Sequence, residues 1–202
     1  MNAIKIVSLI LSAGESSRMG KPKALLPWQG KTLLHHAVQA ARDSNITDIV
    51  VVLGSHSDEI RDEVTRLRTS HTLNANWKLG MGSSIKAGVT FIQEQQPDAE
   101  GILIQLADQP RINGESLAKL IAQHQANPGK LIVAEYGAEH GRSPGVPALF
   151  PKDLFSALLK MPDDAGAKKI LLQHSNQLIR VSLPEAAQDI DTPEQYEQLK
   201  KL

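Results

Sequence analysis

The sequence contains no cysteine, which removes disulfides, thiolate nucleophiles and Cys-ligated zinc together and fits a reducing, cytoplasmic setting. It also has no excess of charge of either sign. Lys plus Arg number 22 and Asp plus Glu number 22, so no global basic field exists to gather nucleic acid or anionic lipid, and any anion binding has to be local. No apolar run approaches the roughly 18 residues that a membrane span needs. The N-terminus, with one early Lys5 and a short apolar run that stops at a polar loop, is unlike a signal peptide. Internal repeats, low-complexity tracts and linkers rich in Pro, Gly and Ser are missing too. The 202 residues therefore read as one domain, 1–202, with one substantial core and neither a nucleic-acid nor a membrane partner.

What the chain does have is a regular alternation. Unbroken runs rich in Ile, Val and Leu recur at 4–11, 49–53, 102–106 and 131–134, each too short for a helix and patterned like a strand buried on both faces. A further strand pattern lies at 179–183. Stretches with helical spacing fall at 33–41, 57–67, 84–93 and 117–125, with a short one at 154–159 and a terminal one after Thr192 and Pro193, which suit an N-cap and a first helical position. Ser55 or Ser57 is the expected cap of the 57–67 helix. The alternation predicts an α/β fold, a Rossmann-like three-layer domain with helices on both faces of a mostly parallel sheet. Ligands of such sheets sit beyond the carboxyl ends of the strands, so the loops that follow the strands should hold the chemistry.

The first of those loops carries the densest signal. Ala13-Gly14 is followed by two hydroxyls, Ser16 and Ser17, and three cations, Arg18, Lys21 and Lys23. Glycines at 14 and 20 let the backbone bend tightly and bring its N–H groups close to a ligand, while the cations neutralise several negative oxygens at once. A polyphosphate is the natural guest, although a polar surface loop after a first strand would look similar on spacing alone. A Walker A loop does not match, because five residues rather than four separate Gly14 from Gly20 and Pro22 follows Lys21. A dinucleotide fingerprint does not match either, since Gly14 fills only the first of its three glycine positions.

Other strand ends add to the pattern. In 74–85, Gly80, Gly82, Ser83 and Ser84 directly precede a helical stretch; its opening amides are donors for a ligand, or the small residues serve only to start the helix. Asp108 follows an apolar run and is followed by Gln109 and Pro110. A carboxylate facing a phosphate loop repels the phosphate unless a cation lies between them, and Mg²⁺ resolves that conflict through one or two carboxylates plus phosphate oxygens. Near the C-terminus, capping accounts for Thr192 and Pro193 but not for Asp189 and Asp191.

The stretch 8–28 resembles the signature of the nucleotidyltransferases related to the molybdenum cofactor guanylyl- and cytidylyltransferases. That pattern, Leu-x-Ala-Gly-x-Ser-x-Arg-Met-Gly-x-x-Lys, is met at Leu11, Ala13, Gly14, Ser16, Arg18, Met19, Gly20 and Lys23. Residues 74–85 are similar to the family's Asn-x-x-Trp-x-x-Gly-Met-x-Ser-Ser stretch, 106–110 to its Leu-x-Asp-Gln-Pro strand end, and 189–194 to Asp-Ile-Asp-Thr-Pro-Glu. The resemblance implies a nucleotide-diphospho-sugar transferase type of fold, with a nucleotide held by Ala13, Gly14, Ser16, Ser17, Arg18, Lys23, Gly80, Gly82 and Ser83. It implies catalytic roles for Arg18, Lys23 and Asp108, and Mg²⁺ on Asp108 and Asp191. It further implies an NTP substrate, CTP in first place, a phosphorylated acceptor of the molybdopterin-type molybdenum cofactor kind, and a molybdoenzyme or its chaperone as protein partner. On the acceptor side, Gly145-Val146-Pro147-Ala148-Leu149-Phe150 matches Gly-x-Pro-x-Leu-Phe but has Val146 where many cytidylyltransferases carry His. Arg142 and His140 lie nearby in sequence, and Asp164 is a further acceptor-side candidate. A sugar or polyol phosphate is the alternative acceptor, and a non-catalytic nucleotide or cofactor carrier is the alternative from another class.

Overall fold

The computed structural model describes residues 4–16, 19–136, 143–167, 170–171 and 178–201. In chain order these form β1 Ile6–Ser12, β2 Pro27–Trp28, β3 Lys31–Thr32, α1 Leu33–Asp43, β4 Asp48–Leu53, α2 Ser57–Arg66, β5 Ser70–Leu73, α3 Met81–Gln95, β6 Gly101–Leu106, α4 Gly114–Ala126, β7 Leu131–Tyr136, β8 Ser143–Pro151, α5 Phe155–Lys160, β9 Leu178–Ser182 and α6 Pro193–Leu199. Short 3₁₀ turns include Lys23–Leu25 and Trp77–Leu79.

Seven strands make one sheet in the order β5-β4-β1-β6-β8-β7-β9. β8 runs antiparallel to both its neighbours, and the other pairings are parallel. All seven residues of β1 are buried, and its alternation sends Ile6 and Ile10 into one core and Val7, Leu9 and Leu11 into the other. α1, α2 and α4 cover the first face through Leu34, Ile60 and Leu120; α3 and α5 cover the second through Ile85, Val89 and Leu158. This is the α/β Rossmann-like, three-layer arrangement that the alternation predicts, with a mostly parallel sheet. No helix among the described residues is long and apolar enough to cross a membrane.

Two local details differ from expectation. Neither Ser55 nor Ser57 caps α2: His56 is the N-cap, without a side-chain bond, and Ser57 is the first helical residue. The reason is a tight corner, because a Cβ on Gly54 would lie 2.5 Å from the Ala13 carbonyl oxygen and Ser55 N–H donates to that same oxygen. The turn is shaped by contact with the β1 loop rather than by capping. α3 begins at Met81, three residues before the expected start, because glycines at 80 and 82 mask the helical pattern.

The fold brings the end of the chain to the end of β1. Leu26, Leu33, Ile190, Tyr196 and Leu199 form a small separate core, and Tyr196 donates its hydroxyl hydrogen to the Pro27 carbonyl at 2.5 Å. α6 opens with a full capping box, Thr192 accepting from Gln195 N–H and the Gln195 side chain accepting from Thr192 N–H. The segment before it is pinned to the β6 exit, where Ile190 N–H donates to the Asp108 carbonyl.

Candidate active site

Register places the exits of β1 and β6 side by side, Leu11 opposite Leu106, and Ala107 N–H donates to the Leu11 carbonyl. The loop after β1 and the carboxylate after β6 therefore face each other at the carboxyl edge of the sheet. Within this loop, Met19 and Lys23 bond back to Ser16. Ser16, with φ of 52°, has its carbonyl accepting from Met19 N–H at 2.9 Å and its hydroxyl oxygen accepting from Lys23 N–H at 3.1 Å. Gly20 also takes a left-handed φ, 63°, which a glycine adopts without strain. Gly14 is exposed, and a Cβ there would meet nothing within 4 Å.

Lys23 stands at the centre. Its ammonium donates to Asp191 Oδ1 at 2.6 Å and to Asp108 Oδ2 at 3.2 Å. Burial pulls the Lys23 ammonium down, but its bonds to Asp191 and Asp108 outweigh that and leave it above its ordinary value. Asp108 is held above the usual carboxylate range by burial, against the pull of Lys23 and with the help of the Asp191 charge. Asp189 is pushed up to about 6, first by burial and then by the charge of Asp108. Its Oδ1 and the Oε1 of neighbouring Gln109 are buried acceptors without a partner among the described residues. The Gln109 amide nitrogen donates to the Ala186 carbonyl at 2.9 Å and the Val146 carbonyl at 3.3 Å, so one side chain ties the β6 exit to β8 and to the C-terminal segment.

Two hollows open from this centre. One of about 360 Å³ is walled by Gly14, Trp77, Gly80, Met81, Ser84 and Asp108, among others. One of about 100 Å³ lies under the loop against Ser12, Ser16, Lys23, Ile60 and Asp108. A larger hollow of about 620 Å³, walled by Trp28, His36, Asp43, Arg111 and Glu185, contains none of the sequence-predicted site residues.

Of the residues named from sequence, the structure brings together Ala13, Gly14, Ser16, Lys23 and Asp108 around these two hollows, with Asp191 joined through Lys23; Gly80 lies on the wall of the larger one. Ser17 and Arg18 lie outside the described residues, as do His140 and Arg142. Gly82 and Ser83 stand behind the wall. A Cβ on Gly82 would lie 2.7 Å from the Ala165 carbonyl oxygen, and Ser83 N–H donates to the Asp163 carbonyl. The Ser83 hydroxyl donates to the Gly80 or Asn76 carbonyl and accepts from the Asn74 amide. Ser84 and Met81 take the wall positions instead, because loop 162–165 crosses the start of α3 and claims its neighbours. Two buried groups received no role from the sequence: Ser12, whose hydroxyl has no partner among the described residues, and Asp189, noted there only as unexplained by capping. The Asp-Ile-Asp spacing held the only signal for Asp189, and spacing alone does not say which carboxylate turns inward.

Known proteins extend this picture. The family profile described as MobA-like NTP transferase domain matches residues 8–178. Nicotine blue oxidoreductase of Paenarthrobacter nicotinovorans is 30% identical over 203 residues, covering 96% of each chain. Molybdenum cofactor cytidylyltransferase of Escherichia coli (strain K12) is 25% identical over 197 residues, covering 97% of this chain and 95% of its own. Among solved structures, Rv0371c from Mycobacterium tuberculosis H37Rv superposes with a TM-score of 0.82 at 24% identity over 100% of both chains. Its complex with manganese superposes with a TM-score of 0.79 at 23% identity over 98% of both.

Proposed function

This chain belongs to the MobA-like NTP transferase family, and from that premise we propose that it transfers the NMP part of a nucleoside triphosphate, CTP in first place, to the phosphate of a molybdopterin-type molybdenum cofactor. A phosphate oxygen of the acceptor forms a bond to the α-phosphorus, the bond from that phosphorus to the bridging oxygen breaks in line, and pyrophosphate leaves with the electron pair. Such a transfer needs positioning and charge stabilisation rather than a protein nucleophile. The observation that carries the proposal is the meeting of Lys23 with Asp108 and Asp191 beside the Gly14–Ser16 turn.

The residues fit a divalent metal of the kind that comes with a nucleotide. Asp108 and Asp191 both pair with the Lys23 ammonium, Asp189 lies close enough for its charge to couple with all three, and Asp189 Oδ1 has no partner among the described residues. Mg²⁺ binds through one or two carboxylates plus phosphate oxygens, a set that these residues and a triphosphate could supply together. Asp108 and Asp191 would hold it, and when bound it would polarise the phosphoryl oxygens. The manganese complex of the mycobacterial relative supports a divalent ion on this fold. Lys23 binds and neutralises the phosphates, with Arg18 in the same role, while Gly14 and Ser16 shape the loop around them. Ala13, Gly80 and Ser84 border the hollow of about 360 Å³, where base and ribose would lie, and Gly82 and Ser83 shape that border from behind.

The preference for CTP and molybdenum cofactor draws on the Escherichia coli relative. Val146 in place of His keeps a sugar or polyol phosphate as the alternative acceptor. The relative named as an oxidoreductase points to another reaction class, but the loop after β1 lacks the glycine spacing of a dinucleotide fingerprint. Asp108→Asn and Lys23→Ala should each lower turnover by on the order of 10²–10³ with the circular dichroism spectrum unchanged. Wild-type turnover in either variant would refute the assignment.

A further inference from the structure

Lys23 occupies the position between two carboxylates where a cation of higher charge would also be drawn. Its ammonium lies 2.6 Å from Asp191 Oδ1 and 3.2 Å from Asp108 Oδ2, and an ammonium and a divalent ion repel each other at such distances. We propose that Lys23 is the resident counter-ion of this pair, displaced when a triphosphate draws its ammonium away, so that this protein takes up metal and nucleotide together. The proposal rests on Asp108 and Asp191 being the metal-side carboxylates.

Three further observations support it. The base of Lys23 is fixed, with its N–H on the Ser16 hydroxyl and its carbonyl accepting from Leu26 N–H in the 3₁₀ turn, whereas its four-carbon stem has rotatable bonds through which the ammonium can be re-aimed. Lys23, Ser16 and Gly14 border the same small hollow as Asp108, so phosphate oxygens held there would compete directly with the carboxylates for the ammonium. The Asp191 side chain is 51% exposed against 21% for Asp108, which leaves the pair open to solvent on the Asp191 side. A metal arriving alone meets a competitor and, even with Asp189 counted beside Asp108 and Asp191, fewer protein oxygens than an octahedral shell takes. A triphosphate supplies the missing oxygens and removes the competitor in one step. By linkage, metal must then strengthen nucleotide binding by the same factor.

The test is Mn²⁺ binding without nucleotide, read by the electron paramagnetic resonance signal of free Mn²⁺, on wild type, Lys23→Met and Lys23→Met/Asp108→Asn. Lys23→Met should bind Mn²⁺ about tenfold tighter than wild type or more, its melting midpoint should rise with Mn²⁺ while that of wild type does not, and the double variant should lose the gain. Lys23→Gln provides the same comparison if Lys23→Met does not reach a native circular dichroism spectrum. Equal affinities in wild type and Lys23→Met, both lost with Asp108→Asn, would overturn the displacement and leave the metal assignment standing. No Asp108-dependent Mn²⁺ binding in any of the proteins would overturn the metal assignment and the displacement with it.

Discussion

At the scale of single residues, two glycines a few ångströms from the same hollows should respond oppositely to a methyl group. Gly14 faces open space, so Gly14→Ala should move the melting midpoint by no more than about 2 °C while raising the KM for nucleotide, because the methyl projects where phosphate would lie. Gly82 is closed in by the backbone of 162–165, so Gly82→Ala should cost about 1–3 kcal/mol of stability. Thermal melts and nucleotide titrations on the two variants separate a binding position from a packing one, and equal loss of stability in both would contradict the distinction. The same pair illustrates what was legible in the sequence. Gly14, Ser16 and Lys23 are close in the chain, so motif spacing was enough to group them. Asp108 and Asp191 came from their own strand-end motifs, and the fold supplied the meeting with Lys23. The sequence carries no sign that a loop 80 residues downstream packs onto Gly82 and Ser83, so it does not separate them from Met81 and Ser84, which face the hollow.

At the scale of elements, β1, β4, β6 and β7 were legible because strands buried on both faces write continuous apolar runs. β5 was not, since Ser-His-Thr-Leu is an edge strand whose residues are all at least partly exposed and carries no such run. β8 was legible only as a short extended piece, because Pro144 and Pro147 argue against a strand in mid-sheet. The structure accommodates them with a register shift opposite Val133 and Ala134. α4 carries a further consequence. His124 is 2% exposed, and its Nδ1 has no partner among the described residues. Burial holds it below its ordinary value, against smaller opposing contributions from the Lys130 backbone and the Glu100 charge. The unfolded chain therefore binds the proton more readily than the folded one, and the associated stability is full above about pH 6.5 and lost as pH falls below it. Urea denaturation between pH 5 and 8 should show this loss, with a shallower slope in His124→Gln; an unchanged slope would assign the acid sensitivity to other groups.

At the scale of the whole molecule, the sheet divides the labour. The β1 loop and the start of α3 share a hollow with Asp108, while neighbouring Gln109 bonds β8 and the C-terminal segment. The small core of Leu26, Leu33, Ile190, Tyr196 and Leu199 holds the final helix against the first loop, so Asp191 depends on the folding of both chain ends. The most direct test is Mg²⁺-dependent pyrophosphate release from CTP, GTP, ATP and UTP, each with and without molybdenum cofactor, with the acceptor product followed by mass. Release from CTP only when both metal and cofactor are present, together with a cofactor heavier by one cytidylyl group (CMP less one water), is the predicted result. Release from none of the four with the cofactor supplied would contradict the proposed transfer.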